Sequence, residues 1–433
     1  MDSEICPYPS GNGSAEEERE RGRFWFVLTL LYLVMEYARP MDHIPGLGLL
    51  RPGLVIGVLL GISWFMQGNF ASLWSRQTAM ILLFVTLLVV HIPFARNNFY
   101  AYNSAKGVLL YMPFLISVLM HVDSFKRLRT LFTVWILLMG WLSVSGIAGK
   151  GKGGGNFLAD ENDFSLLMNM MLPFGLFLLM YERSCRRKML YLAASVLAVL
   201  SIVVSFSRGG FVGLVAVLFV VWLFSSRKIL TLALTGVLAL VLFFGAGSAY
   251  WEEMSTITDQ GETTAKERLL SWEAAWDMFL DNPQGVGGSN FPVRFAEYQD
   301  DGFTRGMWGR AAHSLWFTLI SELGIPGILI YTALLLFNVR DLSWLRRLRE
   351  RSGDDDVRYA SYLSLAFSAS LVGFFVSGTF LSVLYYPHYF YLTAMIVVTR
   401  RVAEQRIGSY ACAPTVSCAS RGDDTPVGGW AEA

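Results

Sequence analysis

Cysteine is scarce in this chain, four in 433 residues. Cys412 and Cys418 lack the spacing of a zinc ligand pair, and Cys6 and Cys185 lie far from both, so neither a disulfide framework nor a structural metal is expected. Charge is scarce as well: 16% of residues are charged and the formal net charge is +1. A balance so near neutrality argues against nucleic acid as a partner. Histidine occurs five times, which leaves few groups able to titrate near neutral pH. No small-residue cleavage site follows the first apolar run, so that run is expected to be retained as a span rather than removed as a signal peptide.

What the chain has instead is apolar length. Hydrophobic residues make up 54% of it, in blocks long enough to cross a hydrocarbon core of about 30 Å. Such runs begin near Phe24, Gly53, Thr78, Gly107, Leu128, Phe164, Met189, Gly210, Ile229, Ser314, Tyr359 and Leu381. The predicted fold class is all-α, a polytopic membrane protein of about twelve transmembrane helices. Several early runs are interrupted by Pro40, Pro45, Pro52 and Pro93, so two could be re-entrant rather than spanning.

With a cytoplasmic N-terminus, 23 of the 35 basic residues fall on inner loops and 12 on outer ones, five of them in one long polar break. This asymmetry orients the chain. It divides into a disordered cytoplasmic N-terminus (1–23), nine spans (24–249), an extracytoplasmic loop (250–312), three spans (313–400) and a disordered cytoplasmic tail (401–433). The four cysteines then face a reducing compartment.

The polar break and its neighbours hold the candidate chemistry. Arg208, in SFSRGG, sits at the outer boundary between two runs that almost touch. It can snorkel to headgroups, or it can present a planar, permanently charged fork to a phosphate-bearing ligand, with Gly209 and Gly210 permitting close approach. Residues 266–291 open on a capping-box pattern at Thr264 and close at Asn282 and Pro283, which predicts a helix of about four turns. Leu269, Trp272, Trp276, Phe279 and Leu280 recur on one face, suited to the membrane interface, to a lid over the bundle or to plain packing. A cation in the first turn opposes the helix dipole, so Arg268 is expected to have an anionic partner.

His313 is the histidine beside the long loop. A neutral imidazole there can accept a proton from a hydroxyl nucleophile. His43, His91, His121 and His388 read as structural or interfacial. Glu322 lies about 13 Å deeper along the same helix and reads as a packing anchor or a group that supports the site. Asp160, Glu161, Asn162 and Asp163 open a span from outside and read as helix caps. Gly146 to Gly153 approaches a phosphate-binding loop but has Gly153 where Ser or Thr is needed, and reads as a flexible loop. Asp354, Asp355 and Asp356 read as a solvated cytoplasmic run.

SFSRGG at the end of one span, an Arg-led amphipathic helix running into DNPQGVGGSNF, HSLWFTLISELGIPG opening the next span and the segment NDFSLLMNMMLP together resemble the O-antigen ligase and polymerase superfamily of bacterial envelope glycan enzymes. The likeness covers roughly residues 155–335. It implies a multi-pass protein of the cytoplasmic (inner) membrane, active on the periplasmic face in lipopolysaccharide and related polysaccharide biosynthesis. The implied donor is a glycan linked to a polyprenyl (undecaprenyl) pyrophosphate, transferred to the hydroxyl of a lipid, glycan or protein acceptor with no cofactor and no metal. It further implies that Arg208 and Arg268 bind the pyrophosphate and that His313 acts as base. A repeat polymerase of the same superfamily, a small-anion transporter and a scaffold are the competing readings.

Overall fold

The computed structural model describes residues 12–67, 70–154, 158–225, 228–229, 232, 236, 263–299, 308–348 and 353–411. Among these the fold is all helical: α1 (Asn12–Tyr37), α2 (Pro52–Gln67), α3 (Arg76–His91), α4 (Asn98–Leu109), α5 (Met112–His121), α6 (Phe125–Ala148), α7 (Glu161–Tyr181), α8 (Cys185–Val204), α9 (Arg208–Phe224), α10 (Thr263–Asp281), α11 (Leu315–Arg347), α12 (Asp355–Gly378) and α13 (Pro387–Ala411). A helix occupies each apolar run read from the sequence except the one beginning at Ile229, most of which lies outside the described residues. Eight segments among the described residues are long and apolar enough to cross a membrane, α4 and α5 counting as one. The first helix starts at Asn12. Residues 1–11 and 412–433, which hold much of both expected disordered termini together with Cys6, Cys412 and Cys418, lie outside the described residues.

Burial separates the centre from the rim. In α7, 83% of the apolar window is inside the protein, against 17% in α2. Leu54, Val55, Val58, Ile62 and Phe65 of α2 are exposed, as expected of a helix facing lipid, where apolar exposure carries no penalty. The central helices α7, α9 and α12 meet through small residues and interhelical hydrogen bonds. A Cβ on Gly210 would stand 2.3 Å from Ser165 Oγ, and one on Gly373 2.9 Å from the Asn169 carbonyl oxygen. Asn169 donates to the Gly210 carbonyl at 2.8 Å and to Ser377 Oγ at 3.3 Å, the kind of polar glue that replaces the hydrophobic effect inside a bilayer.

Loop contacts sort into two ends. At one end Ser207 bonds Asn162, Tyr386 bonds Asp163, Asn97 bonds Asn290 and Tyr385 bonds Glu322. At the other, Arg129 pairs with Asp356, Arg400 with Asp341 and Arg406 with Asp354, while Arg401 donates to the carbonyls of Ser72 and Val122. The Asp354–Asp356 run, expected as a solvated loop, caps α12 and takes part in this ion-pair cluster. The arginine-rich end is the one that charge asymmetry assigns to the cytoplasm.

One helix is broken where the sequence suggested a continuous span. In α11, Gly324 leaves helical geometry at φ 59°, ψ −156°. Pro326 follows two residues on; it lacks the N–H that would bond to the Glu322 carbonyl and its ring crowds that oxygen. The orphaned groups find partners in residues 283–287: Ile325 N–H donates to the Pro283 carbonyl at 2.7 Å, Val286 N–H to Ser321 at 3.0 Å and Gly287 N–H to Glu322 at 2.9 Å. A Cβ on Gly324 would lie 2.3 Å from the Pro283 oxygen and 2.5 Å from the Gly285 nitrogen. The contact is backbone on backbone, so neither side can yield by turning a rotamer. Gly324→Ala is therefore expected to destabilise the protein by about 1–3 kcal/mol, read as a lower midpoint of thermal unfolding in detergent. Gly48→Ala, whose Cβ meets nothing within 4 Å, should change stability by less than about 0.5 kcal/mol.

Candidate functional site

The site is built at the end opposite the Arg129, Arg400 and Arg406 ion pairs, where α10 lies against the start of α11. The helix begins at Thr263, so Thr264 lies within it rather than at its cap, and Arg268 stands past the first turn. The unfavourable dipole argument for Arg268 loses its force, since the macrodipole acts over the first turn alone. The anticipated apolar face is also revised. Ser271, Ala274, Ala275 and Met278 are the buried residues of α10, whereas Leu269, Leu270, Trp276 and Leu280 are exposed. Small side chains let the helix approach α11 closely, so the large ones turn outward. Below this contact, Phe291 and Phe295 complete a small satellite core with Ala312.

Trp272 is the exception among the large residues, being half-buried. Its ring stacks on Phe317 at 5.1 Å, and its Nε1 donates to the Ala312 carbonyl at 3.0 Å. It thereby pins the residue before His313. His313 itself has φ 46°, a left-handed conformation costing a non-glycine residue about 1–2 kcal/mol. Ser314 then caps α11, its carbonyl accepting from Thr318 N–H at 3.0 Å and from Thr318 Oγ1 at 2.7 Å. The Ser314 hydroxyl is buried with no hydrogen-bond partner among the described residues. The backbone at His313 is thus strained and held at the residues on either side of it.

The electrostatics around His313 favour its neutral form. Burial depresses its pKa below the usual imidazole value, the Arg310 and Arg268 guanidinium groups depress it further, and Asp160 opposes them. Arg310, which sequence reading passed over, pairs with Glu267 at 2.6 Å and so ties the His313 loop to α10. Its place three residues before His313 was the available signal. Arg268 and His313 are thus brought together.

Arg208 reaches the same end on a different element. It is the first residue of α9, capped by Ser207, whose Oγ accepts from Gly210 N–H at 2.9 Å. The Ser207 hydroxyl also donates to Asn162 Oδ1 at 2.7 Å. Asn162 follows Asp160, which caps α7 by accepting from the Asn162 and Asp163 amides, as the sequence suggested. Phe380 lies against Gly209 and within 6.5 Å of the Trp272 ring, so Arg208 and the Trp272 face of α10 flank one phenyl group. Of the Gly146–Gly153 stretch, expected to be a flexible loop, the first three residues end α6, Gly151 N–H donates to the Gly146 carbonyl at 2.7 Å and Lys152 pairs with Glu161 of α7 at 3.3 Å.

Glu322 has a definite task. It is 2% exposed, and its carboxyl group accepts from Ser289 N–H at 2.7 Å, Phe291 N–H at 3.1 Å and Tyr385 Oη at 2.6 Å. It fastens the 287–291 turn to the broken helix. Three of the other histidines sit in packing roles: His388 Nδ1 bonds Tyr37 Oη at 2.9 Å, His121 Nε2 bonds Ser63 Oγ at 3.2 Å, and His43 packs edge-on to Trp141.

Residues 193–332 match the family model described as O-antigen ligase. The matched stretch holds Arg208, Arg268, Arg310, His313 and Glu322, and extends past the break at Gly324. The match supports the superfamily resemblance carried by the sequence motifs. No curated protein matches the chain.

Replacing Glu322 by Gln keeps its size but turns one acceptor into a donor that faces existing donors. This variant should lose about 1–3 kcal/mol of stability and show faster amide hydrogen exchange at Ser289 and Phe291. Tyr385→Phe, which removes one donor and leaves the backbone contacts, should cost less.

Proposed function

Starting from a polytopic helical membrane protein with an O-antigen ligase domain, an O-antigen ligase or polymerase type of glycan enzyme, we propose that it transfers a glycan from a polyprenyl pyrophosphate to an acceptor hydroxyl. The observation that carries this reading is the convergence of His313, Arg268 and Arg310 at one end of the bundle, with burial and both cations holding the imidazole neutral. In the reaction the acceptor oxygen attacks the anomeric carbon as the bond from that carbon to the pyrophosphate breaks. The acceptor proton passes to His313, and the leaving pyrophosphate remains on its lipid. Arg208 and Arg268 carry the charge that develops there, as fixed guanidinium groups stabilise a departing anion without reorganisation.

The charge balance supports a cytoplasmic-membrane protein with this end in the periplasm. A second repeat unit as acceptor would make the enzyme a polymerase; a lipid or protein acceptor would make it a ligase. A transporter would call for charges distributed through the membrane depth, whereas these gather at one end.

In a reconstituted assay with a polyprenyl-pyrophosphate glycan and acceptor, and no added metal, wild-type protein should transfer glycan. Arg208→Ala and His313→Ala should each reduce transfer by about 10²-fold or more while unfolding at the wild-type temperature. Full activity in both variants would sink the assignment.

The pH dependence follows from sign. The base works only when neutral, so transfer should fall as pH drops through the His313 pKa, which lies below the ordinary imidazole value. Arg310→Ala removes a cation that disfavours protonation and frees Glu267, so that pKa rises. The acidic limb of the rate profile should accordingly move to higher pH; an unmoved limb would mean that it belongs to another group.

A further inference from the structure

At the same end of the bundle, a cleft of about 550 Å³ opens between the turn after α3 and residues 282–287. Its walls include Val90, His91, Phe94, Arg96, Gln284 and Arg294, and it shares no lining residue with the cluster around His313. His91 is 8% exposed, and its Nδ1 is buried with no hydrogen-bond partner among the described residues. In the tautomer that carries its proton on the other ring nitrogen, Nδ1 is an acceptor with nothing to accept from. Such an atom in a native fold calls for an explanation.

The other walls narrow the chemistry. Arg294 is held by Asn282, Glu297 and Tyr298 and forms a fixed side. Arg96 is exposed and has no carboxylate partner among the described residues. No acidic residue lines the cleft, which argues against a cation as occupant. Phe94 is 82% exposed and offers an apolar face beside these donors. The floor is rigid, because Val286 and Gly287 are hydrogen-bonded to the broken α11.

A group that donates to a buried nitrogen, accepts from guanidinium and amide, and leaves an apolar face for an aromatic ring is a sugar. We propose that the cleft binds a saccharide, namely the segment of the donor glycan distal to its pyrophosphate. Its hydroxyls donate to His91 Nδ1 and accept from Arg96 and Gln284, and one ring face rests on Phe94. The identity of the glycan as donor rests on the transferase reading; the binding chemistry does not. Arg268 and Asn282 are fourteen residues apart on and just beyond α10, about 21 Å at the helical rise, so a short oligosaccharide joins the two places.

The test is calorimetric titration of the full chain in phosphatidylcholine nanodiscs with oligosaccharides released by mild acid from the envelope polysaccharide of cells that carry the protein. Wild type should bind saturably, and Arg96→Ala and His91→Phe should each weaken binding by about tenfold or more, equivalent to about 1.4 kcal/mol. Should His91→Phe fail to fold, Arg96→Ala at its exposed position carries the test alone. Wild-type affinity in Arg96→Ala, or no saturable binding by wild type, overturns the cleft. Transfer is read separately: no transfer by the wild type together with intact sugar binding would remove the transferase reading and leave the cleft standing.

Discussion

The arrangement of this end of the protein depends on one exchange of hydrogen bonds. Gly324 and Pro326 take α11 out of register, and the groups this frees are answered by the backbone of residues 283–287. Glu322 then closes the joint by accepting from two amides and a tyrosine. A buried carboxyl group is tolerated only when fully hydrogen-bonded, and here each of its bonds positions something else. The Ser289 and Phe291 amides fix the turn, and the turn in turn holds the start of α4: Asn290 bonds Asn97 and Ser289 bonds Ser104. Because the same turn follows α10 directly, fixing it also fixes the far end of the helix that carries Arg268 and Trp272.

From there the constraint reaches His313 by a second route. Trp272 holds Ala312, and Glu267 holds Arg310. Both contacts lie within the three residues before His313, which has a backbone conformation it would not choose alone. Strain of this kind persists only where the surroundings over-determine it. The gain is a backbone position set before any ligand arrives, with burial and two arginines favouring the neutral imidazole; in the proposed proton-accepting role this limits reorganisation during reaction.

Much of this was legible in the sequence, and the reasons are physical. Apolar runs declare spans because lipid demands about twenty apolar residues regardless of neighbours, so α2 to α9, α11 and α12 stand where the runs do. Arg208, Arg268 and His313 stood out because charge is rare in such a chain. The break in α11 was not read from the sequence, although Gly324 and Pro326 stand at it, and its consequence was hidden, since the partners of Glu322 are backbone amides 31 and 33 residues away. Backbone donors leave no mark on side-chain identity. The packed face of α10 was hidden for a related reason: close helix approach selects Ser271, Ala274 and Ala275, which a hydrophobic-periodicity reading ranks below tryptophan and leucine.

That inversion of α10 bears on where the chemistry would take place. With its small residues turned to the protein, the helix leaves Leu269, Leu270, Trp276 and Leu280 exposed. Glu273 and Asp277 are exposed on the same face, and tryptophan and leucine mixed with charge suit the headgroup level of a membrane. A helix seated there holds Arg268 at the depth where the phosphates of a lipid-borne donor lie. Arg208 opens α9 at the end of a span, which sets a second guanidinium near that boundary. Under the proposed reaction the polyprenyl chain then stays in hydrocarbon while its pyrophosphate meets two cations without leaving its own level. The glycan is the one part free to extend along α10 toward Asn282, and the acceptor must approach His313 from the polar side.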